Sequence, residues 1–413
     1  MDKFDDIITD LTVEDKMDKF DDIITELTVE DIRFPTSLEL DGSDALHPSP
    51  DYSACYIILT TARGEKGYGL TFTLGRGNEI VAHCIDSLRF LFLGQNLKEI
   101  FSNMGSWLYK VNNEGQLRWL GPEKGVIGLS MGGLVNALWD LRGRIEKKPV
   151  WKILVDMEPE EIINLIDFTY IEDCITREEA KSLLLKFKPE REEREKKILE
   201  VGVHAYTTAV GWLGYSDQKI RLVVYFEYVF ETFFTILYNS SWLVGILRSE
   251  DKVSRLIENR RCEVLRDCIG PNNYMMVDAN QKWGTQEAIS WMGQLARFNP
   301  IWIEEPTSAD DIQAHADISK ALKPMNIGVA TGEACQNRVM FKQFLMSGGM
   351  QFCQVDSARM SGLNEVLAVY LMATKLGIPV CPHAGGVGLC EMVQHLQTFY
   401  LISLSPETEG RSF

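Results

Sequence analysis

Several signatures are missing from this sequence, and each absence excludes a class of protein. The nine cysteines form no CxxC pair, so we expect reduced thiols in an intracellular compartment rather than a disulfide framework. Positive charge is scarce, because 42 Lys and Arg residues stand against 59 Asp and Glu residues. The resulting net charge of -17 repels phosphate backbones and anionic lipids. Neither nucleic acid nor a membrane surface is therefore an expected partner.

The sequence also has no long apolar run that is free of charge. Its most apolar stretch, residues 222–247, is interrupted by Glu227 and Glu231 and is split by an Asn-Ser-Ser triplet. A membrane-spanning helix needs about 18 or more consecutive apolar residues. We therefore predict a buried helix and strand in this stretch.

The N-terminus lacks the features of a targeting segment. It is acidic, and it has neither the apolar core of a signal peptide nor the arginines of a transit peptide, which also fits a cytoplasmic protein. Residues 1–16 recur almost unchanged as residues 17–32, and the second copy begins with its own methionine. One tandem copy is too little for a solenoid, which needs about three repeats. We predict that residues 1–16 lie outside the fold.

The remaining composition is typical of a globular chain. With 413 residues, of which 45% are hydrophobic, the chain is long enough for two domains. Residues 51–75 contain two β-rich runs separated by a polar, glycine-containing turn, which predicts a hairpin. Residues 125–154 place apolar side chains at helical spacing, and no GxxxxGK[ST] motif follows their glycine-rich start. The pattern favours a packed helix over a phosphate-binding loop.

From about residue 200 onward, short apolar runs alternate with helical patterns. The predicted strands are residues 274–280, 300–306, 327–335, 350–358 and 378–384. Their strand-end polar residues are Asp278, Glu304, Glu333, Asp356 and His383. These positions are 26, 29, 23 and 27 residues apart by subtraction, close to the roughly 30 residues of each unit in a (β/α)8 barrel. In such barrels the strand ends face one pocket, so we expect these five side chains to converge.

Three of the converging residues are carboxylates, which indicates a metal site. Asp278, Glu304 and Glu333 would repel one another unless a cation lay between them. Oxygen ligands without nearby Cys or His favour a hard divalent ion, and we predict Mg2+. The adjacent Glu305, which precedes the Pro306 turn, is predicted not to bind the metal itself but to support the residues that do.

The motifs VDAN, WIEEPTS, ATGE, QVDS and CPHAGGVGLCE occur in this order. As a set they resemble the mandelate racemase subgroup of the enolase superfamily, and within it the L-fuconate dehydratases. The motifs RFPTS, PDYSA and GQLRWLGPEKGV extend the resemblance to nearly the whole chain from Asp31 to about Ser405, except near residues 220–262.

The resemblance implies a fold, an activity and a location. The fold is α/β: an N-terminal α+β capping domain, residues 17–160, over a modified (β/α)7β TIM-type barrel, residues 161–413, with residues 1–16 as a duplicated segment. The activity is that of a Mg2+-dependent hydro-lyase in carbohydrate catabolism. It removes the proton alpha to the carboxylate of a sugar acid and eliminates the 3-hydroxyl, which gives a 2-keto-3-deoxy acid. The implied location is the mitochondrion.

The resemblance also assigns roles to particular residues. Asp278, Glu304 and Glu333 match the family's Mg2+ ligands, and Glu333 is also a substrate contact. Asp356 and His383 match its catalytic dyad, in which the histidine protonates the departing hydroxyl. The implied substrate contacts in the capping domain are Gly42, Ser43, Asp44 and Tyr52. Gly and Asp are also common turn residues, so a purely structural role for the first three is about as well supported.

Two departures from the family pattern affect the chemistry. The family has a Lys-x-Lys base motif before a Val-Gly pair, whereas Ser241, Trp242 and Leu243 stand there in this chain. Lys252 is predicted to lie on the following helix, too far along to substitute. The family continues into an eighth strand with a glutamate, and we expect that strand to be truncated here, since the sequence ends at Phe413.

A second hypothesis follows from these departures. The chain is either an active dehydratase or a catalytically disabled homologue that binds Mg2+ and a sugar acid without turnover. The identity of the sugar acid, and assembly into a homo-oligomer, stay open.

Overall fold

The computed structural model describes residues 17–121, 123–203, 206–212, 214–233, 241–245 and 252–406. The predicted duplicate at residues 1–16 and the predicted truncated strand beyond residue 406 lie outside these ranges.

The N-terminal sheet has three antiparallel strands in the order β1 (Ile24–Arg33), β2 (Ser53–Thr61) and β3 (Lys66–Leu70). The second copy of the repeat supplies most of β1. The β2–β3 pair confirms the predicted hairpin. Alternate side chains of β2, including Ile57 and Leu59, are fully buried, because one face of the sheet packs on a long helix.

Helices cover this sheet and continue the chain toward the second sheet. They are α1 (Asn78–Leu88), α2 (Leu97–Ser102), α3 (Met104–Asn112), α4 (Gly125–Glu146), α5 (Val150–Asp156), α6 (Pro159–Ile163), α7 (Arg177–Lys186) and α8 (Arg191–Val201). Helix α4 confirms helical structure at the start of the predicted range 125–154, but the range holds two helices, since α4 ends at Glu146 and α5 begins at Val150. Short 3-10 turns lie at Asp18–Phe20, Thr36–Leu38, Arg89–Leu91, Lys188–Glu190, Ala296–Phe298 and Lys323–Met325.

The second sheet is parallel, and its strands follow one another in chain order. They are β4 (Tyr206–Gly211), β5 (Ser241–Gly245), β6 (Met275–Asp278), β7 (Trp302–Glu304), β8 (Gly328–Thr331) and β9 (Phe352–Cys353). The helices between and after them are α9 (Asp217–Phe233), α10 (Lys252–Ile269), α11 (Thr285–Leu295), α12 (Ile312–Leu322), α13 (Arg338–Ser347), α14 (Leu363–Leu376) and α15 (Leu389–Ser403). Neighbouring parallel strands joined by helices are the construction of a (β/α) barrel.

Four of the five predicted strands form as β6 to β9. The fifth, residues 378–384, makes only isolated parallel bridges, which pair Val380 with Cys353 and His383 with Asp356. The bridges keep this segment next to β9, so it still takes the next place in the parallel order.

Within the apolar stretch 222–247, residues 222–233 belong to α9 and residues 241–245 form strand β5, as predicted, while residues 234–240 and 246–247 lie outside the described ranges. The burial predicted for this stretch is only partly right at residues 222–225, whose side chains the structure describes. Val224 is 3% exposed, but Leu222 is 51% and Tyr225 63% exposed, since one face of an amphipathic helix remains outside the core. Within the described ranges, no helix is both long and apolar enough to cross a membrane.

Helix α4 approaches the connection between β9 and α14 closely because it carries small residues. A Cβ atom added at Gly132 would lie 2.2 Å from the Met360 carbonyl oxygen. Nearby, Asn136 Nδ2 donates to the Ser357 carbonyl (3.1 Å), and the Leu363 amide donates to Asn136 Oδ1 (3.0 Å). The helix therefore holds the connection between β9 and α14 through the Asn136 side chain and through a close approach at Gly132 that a larger residue would push apart.

Replacing Gly132 by alanine is expected to lower the free energy of unfolding by about 1–3 kcal/mol, because the methyl group overpacks this contact. Gly293 in α11 is the matched control, since a Cβ there has open space around it. Gly293→Ala should stabilise the protein by about 0.5–1 kcal/mol through helix propensity. Urea unfolding of both variants measures the difference, and equal effects would contradict the close contact.

Candidate active site

The ends of the parallel strands open into one cavity of about 390 Å³ under the capping domain. Every site residue predicted from the sequence lines it: Gly42, Ser43, Asp44, Tyr52, Asp278, Glu304, Glu333, Asp356 and His383. The predicted convergence of the strand ends is therefore found. The roles of these residues remain predictions.

Asp278 is the last residue of β6, and the backbone after it is unusual. The Asn280 amide and Asn280 Nδ2 each donate to the Asp278 carboxylate at 2.8 Å. Asn280 and Gln281 both have positive φ, 44° and 62°. Non-glycine residues in this region store strain and tend to cluster at functional sites. The tight turn holds the carboxylate of Asp278 at the strand end.

Glu304 and Glu305 occupy different environments although they are adjacent. Glu304 lines the cavity, and Trp302 Nε1 donates to its Oε2 atom at 3.2 Å. Glu305 does not line the cavity, and Gln281 Nε2 donates to both of its carboxylate oxygens, at 2.9 and 3.0 Å. The chain turns directly after β7, since Glu305 has a positive φ of 37°, and the two carboxylates therefore enter different surroundings. The roles predicted for the two residues, metal ligand for Glu304 and support for Glu305, stay predictions.

The buried carboxylates are electrostatically unfavourable to one another. Burial, followed by repulsion from Glu304 and Glu333, raises the pKa of Asp278 well above its usual range. Burial and then the Glu333 carboxylate raise the pKa of Glu304 to about 8. The charged form of a carboxylate is disfavoured by removal from water and by repulsion from a neighbouring carboxylate. A cation bound between the carboxylates would reverse the repulsion.

Glu333 follows β8 on the connection to α13 and faces the histidine. Its Oε2 atom lies 3.3 Å from His383 Nε2. Within the described ranges, no group of three or more His, Cys, Asp or Glu side chains already stands arranged to hold a metal ion. The donor chemistry nevertheless fits Mg2+, because the three cavity carboxylates supply oxygen ligands only.

Asp356 and His383 form a hydrogen-bonded pair across the isolated bridge. His383 Nδ1 lies 2.6 Å from Asp356 Oδ2, while Asp356 Oδ1 accepts from the amides of Ala358 (2.7 Å) and Arg359 (2.9 Å). A carboxylate in this position makes Nδ1 the protonated nitrogen, and Nε2 faces the cavity. Burial alone would lower the pKa of His383, but Glu333 and the bond to Asp356 raise it to about 10.

The capping domain contributes the other wall through residues 42–52. Gly42 has a φ of 75°, and a Cβ added there would lie 2.4 Å from Tyr52 Oη, so the glycine allows the phenol to enter the cavity. Burial and then Asp44 raise the pKa of Tyr52 to about 12, which keeps it a hydrogen-bond donor. Ser43 Oγ accepts from the Gly214 amide at 2.8 Å, so this hydroxyl also fastens the loop to the barrel.

Several cavity residues were not singled out from the sequence. Arg359 lines the cavity, and its Nε donates to the Glu333 carbonyl at 3.2 Å. The others include Phe72, Trp212, Asn280 and Gly385. Asn280, Ala358, Arg359 and Gly385 lie within three residues of a predicted site residue, whereas Phe72, Thr73, Leu74, Leu129 and Trp212 do not. Closeness in sequence to a predicted site residue was the signal that could have identified the first group.

Strand β5 contains Ser241 and Leu243, where the resemblance predicts that the family's base motif falls. Its register pairs Leu243 with Met276 and Gly245 with Asp278, so the strand runs directly beside the strand that carries the first carboxylate. Helix α10 begins at Lys252, which confirms that this lysine belongs to the following helix. The described part of the cavity lining includes no lysine.

Comparisons with known proteins agree with this architecture. A family model described as Enolase C-terminal domain-like matches residues 252–410. Mitochondrial enolase superfamily member 1 from Xenopus laevis is 50% identical over 384 residues, which are 92% of this chain and 83% of that protein. This chain belongs to the enolase superfamily. The membership confirms the resemblance read from the strand-end motifs.

Two further relatives of this enolase-superfamily chain bear on its fold and activity. The crystal structure of human mitochondrial enolase superfamily member 1 is 47% identical, has a TM-score of 0.89, and covers 95% of this chain and 86% of that one. The predicted fold, a capping domain over a TIM-type barrel, is thereby confirmed. L-galactonate dehydratase from Hypocrea jecorina is 47% identical over 380 residues, 91% of this chain and 81% of that protein. This enolase-superfamily member is thus similar to sugar-acid dehydratases along nearly its whole length.

Proposed function

We propose that this chain is built for the Mg2+-dependent dehydration of a sugar acid to a 2-keto-3-deoxy acid. The observation that carries the proposal is the single cavity that brings three strand-end carboxylates opposite a His–Asp pair. L-Fuconate and L-galactonate are the substrates to test first, because L-fuconate is the 6-deoxy form of L-galactonate.

The residues have distinct roles in this proposal. Asp278, Glu304 and Glu333 would hold Mg2+, which when bound neutralises the substrate carboxylate and stabilises the charge that develops as the C2 proton leaves. His383 Nε2 delivers a proton to the departing 3-hydroxyl as a general acid. Asp356 keeps the imidazole in the tautomer and orientation that this step needs.

The capping domain serves binding in the same proposal. Tyr52 donates a hydrogen bond to the substrate, and Gly42 leaves room for the phenol. The loop that carries them closes the cavity toward water, since Ser43 is tied to Gly214. Excluding water strengthens each electrostatic contact inside the cavity.

A second candidate function is supported by β5. Serine and leucine stand where the family has its two lysines, and neither side chain can accept a carbon-bound proton without a partner base. A protein with the carboxylates and the His–Asp pair but without that base would bind Mg2+ and sugar acid with little turnover. The two candidates share the site and differ only in proton abstraction.

One experiment separates the two candidates. The purified chain is incubated with Mg2+ and either L-fuconate or L-galactonate in D2O, and keto-acid formation and loss of the C2 proton signal are followed together. Turnover of about 10 per second, a typical enzyme value, that disappears in His383→Asn would establish the dehydratase. Binding of the sugar acid without exchange at C2 would establish the disabled homologue. Absence of both binding and exchange with these and related sugar acids would reject the substrate class.

We also infer a mitochondrial location, which is supported only by the names of the relatives. Fractionation of cells that express the tagged chain tests it, and recovery in the cytosolic fraction would contradict it.

A further inference from the structure

Arg338, the first residue of α13, is 1% exposed and lies among three carboxylates. Its Nη1 donates to Glu123 Oε1 (2.5 Å) and Glu365 Oε1 (2.9 Å), and its Nη2 donates to Asp167 Oδ2 (2.7 Å). A planar guanidinium with several fixed donors suits such an arrangement better than a lysine would. Although burial alone would lower it, the three acids raise the pKa of Arg338 above its usual value.

The partners of Arg338 come from three separate segments. Glu123 precedes α4 in the capping domain, Asp167 follows α6, and Glu365 lies in the first turn of α14 in the barrel. The Arg338 amide also donates to Glu365 Oε2 at 3.1 Å. One side chain thus joins the cap to the barrel, and its removal would leave buried carboxylates without their cation.

The same residue ends the connection that carries Glu333. This connection, residues 332–337, leaves β8 and enters α13. Gln336 Oε1 accepts from the Gly125 amide at 2.8 Å, and Asn337 Nδ2 donates to the Glu123 carbonyl at 3.3 Å. Arg338 adds the charged contact to the same glutamate. The end of the connection next to α13 is therefore bound to the cap, and the end at Gly332 directly follows strand β8 of the sheet.

We propose that Arg338 is a positioning residue for the metal site, because it fixes the Glu333 connection between the cap and the barrel. The proposal rests on the proposed role of Glu333 as a Mg2+ ligand. Residues that orient a metal ligand from outside typically change metal affinity by about 10–100-fold when they are lost.

Arg194 offers a matched control for the general effect of losing a buried arginine. It is 3% exposed, and its guanidinium donates to the carbonyls of Leu401, Ile402 and Ser405. None of these residues lines the described part of the cavity. Arg194→Met should therefore lower thermal stability without changing the affinity for Mg2+.

The test is Mg2+ titration of the full chain by calorimetry, well below the unfolding temperature of each variant. Arg338→Met is expected to weaken Mg2+ binding about 10–100-fold, and Arg338→Lys should restore part of the loss. Glu123→Gln removes one partner and is the variant to use if Arg338→Met does not fold, with a smaller loss in the same direction. Unchanged affinity in Arg338→Met, or an equal loss in Arg194→Met, would overturn the proposal.

Hydrogen exchange supplies a readout that needs no metal. Arg338→Met should speed the exchange of amides in residues 332–337, and Arg194→Met should leave them unchanged. If the unmodified chain binds no Mg2+, the proposed metal function fails. The exchange data then still decide whether Arg338 fixes this connection, and equal exchange in both variants would reject that anchoring.

Discussion

The double substitution Ser241→Lys and Leu243→Lys is expected to raise the rate of C2 proton exchange by about 10² to 10⁴-fold, the usual contribution of a positioned general base. Strand β5 runs beside β6, with Gly245 paired to Asp278, so these positions lie in the strand next to the first carboxylate. A lysine amine can accept the C2 proton, which neither serine nor leucine can do without a partner base. The measurement is the loss of the C2 proton signal of L-fuconate in D2O.

The control for this gain is Ser241→Lys with Leu243→Met, since methionine has a similar length and no amine. It should leave exchange near the level of the unmodified chain. Adding His383→Asn to the double-lysine variant should keep the exchange and remove keto-acid formation, because proton abstraction and hydroxyl departure are separate steps. High exchange in the unmodified chain, or no gain from the lysines, would contradict the assignment of the missing base to β5.

Replacing Asp278 by asparagine is expected to weaken Mg2+ binding by more than about 100-fold, because the loss of a ligand exceeds the roughly 10–100-fold effect of losing an outer partner. The change removes one of three anionic ligands and keeps the size of the side chain. Calorimetric titration with Mg2+ measures the affinity, and thermal unfolding shows whether the fold is retained.

Glu305→Gln is the matched control for the metal site. Glu305 is as buried as Glu304, 2% against 1% exposed, but its carboxylate is held by Gln281 away from the cavity. Its loss should affect Mg2+ affinity much less than the loss of Asp278. Equal affinity in Asp278→Asn and the unmodified chain would show that the metal, if bound, is bound elsewhere.

Much of the candidate site could be predicted because it depends on local patterns. The apolar runs that precede Asp278 and Glu304 predict buried strands, and parallel strands bring their carboxyl ends to one edge. The choice of Glu304 over Glu305 also followed from position, since Glu304 is the last residue of β7. Burial along residues 222–225 was predicted less well, because a helix with polar interruptions exposes one face.

The sequence by itself determined which chemistry-bearing residues exist, their order, and their spacing along repeating β/α units. The resemblance also predicts that Ser241 and Leu243 stand where the family has lysines. Only the tertiary structure decided which distant groups meet, such as Ser43 on Gly214 and Arg338 on Glu123. Strand ends are predictable from apolar runs that alternate with helical patterns along the chain. Contacts between residues more than 150 positions apart depend on how the cap packs on the barrel. That packing is set by shape and close approach, as at Gly132, and no local pattern in the chain encodes it.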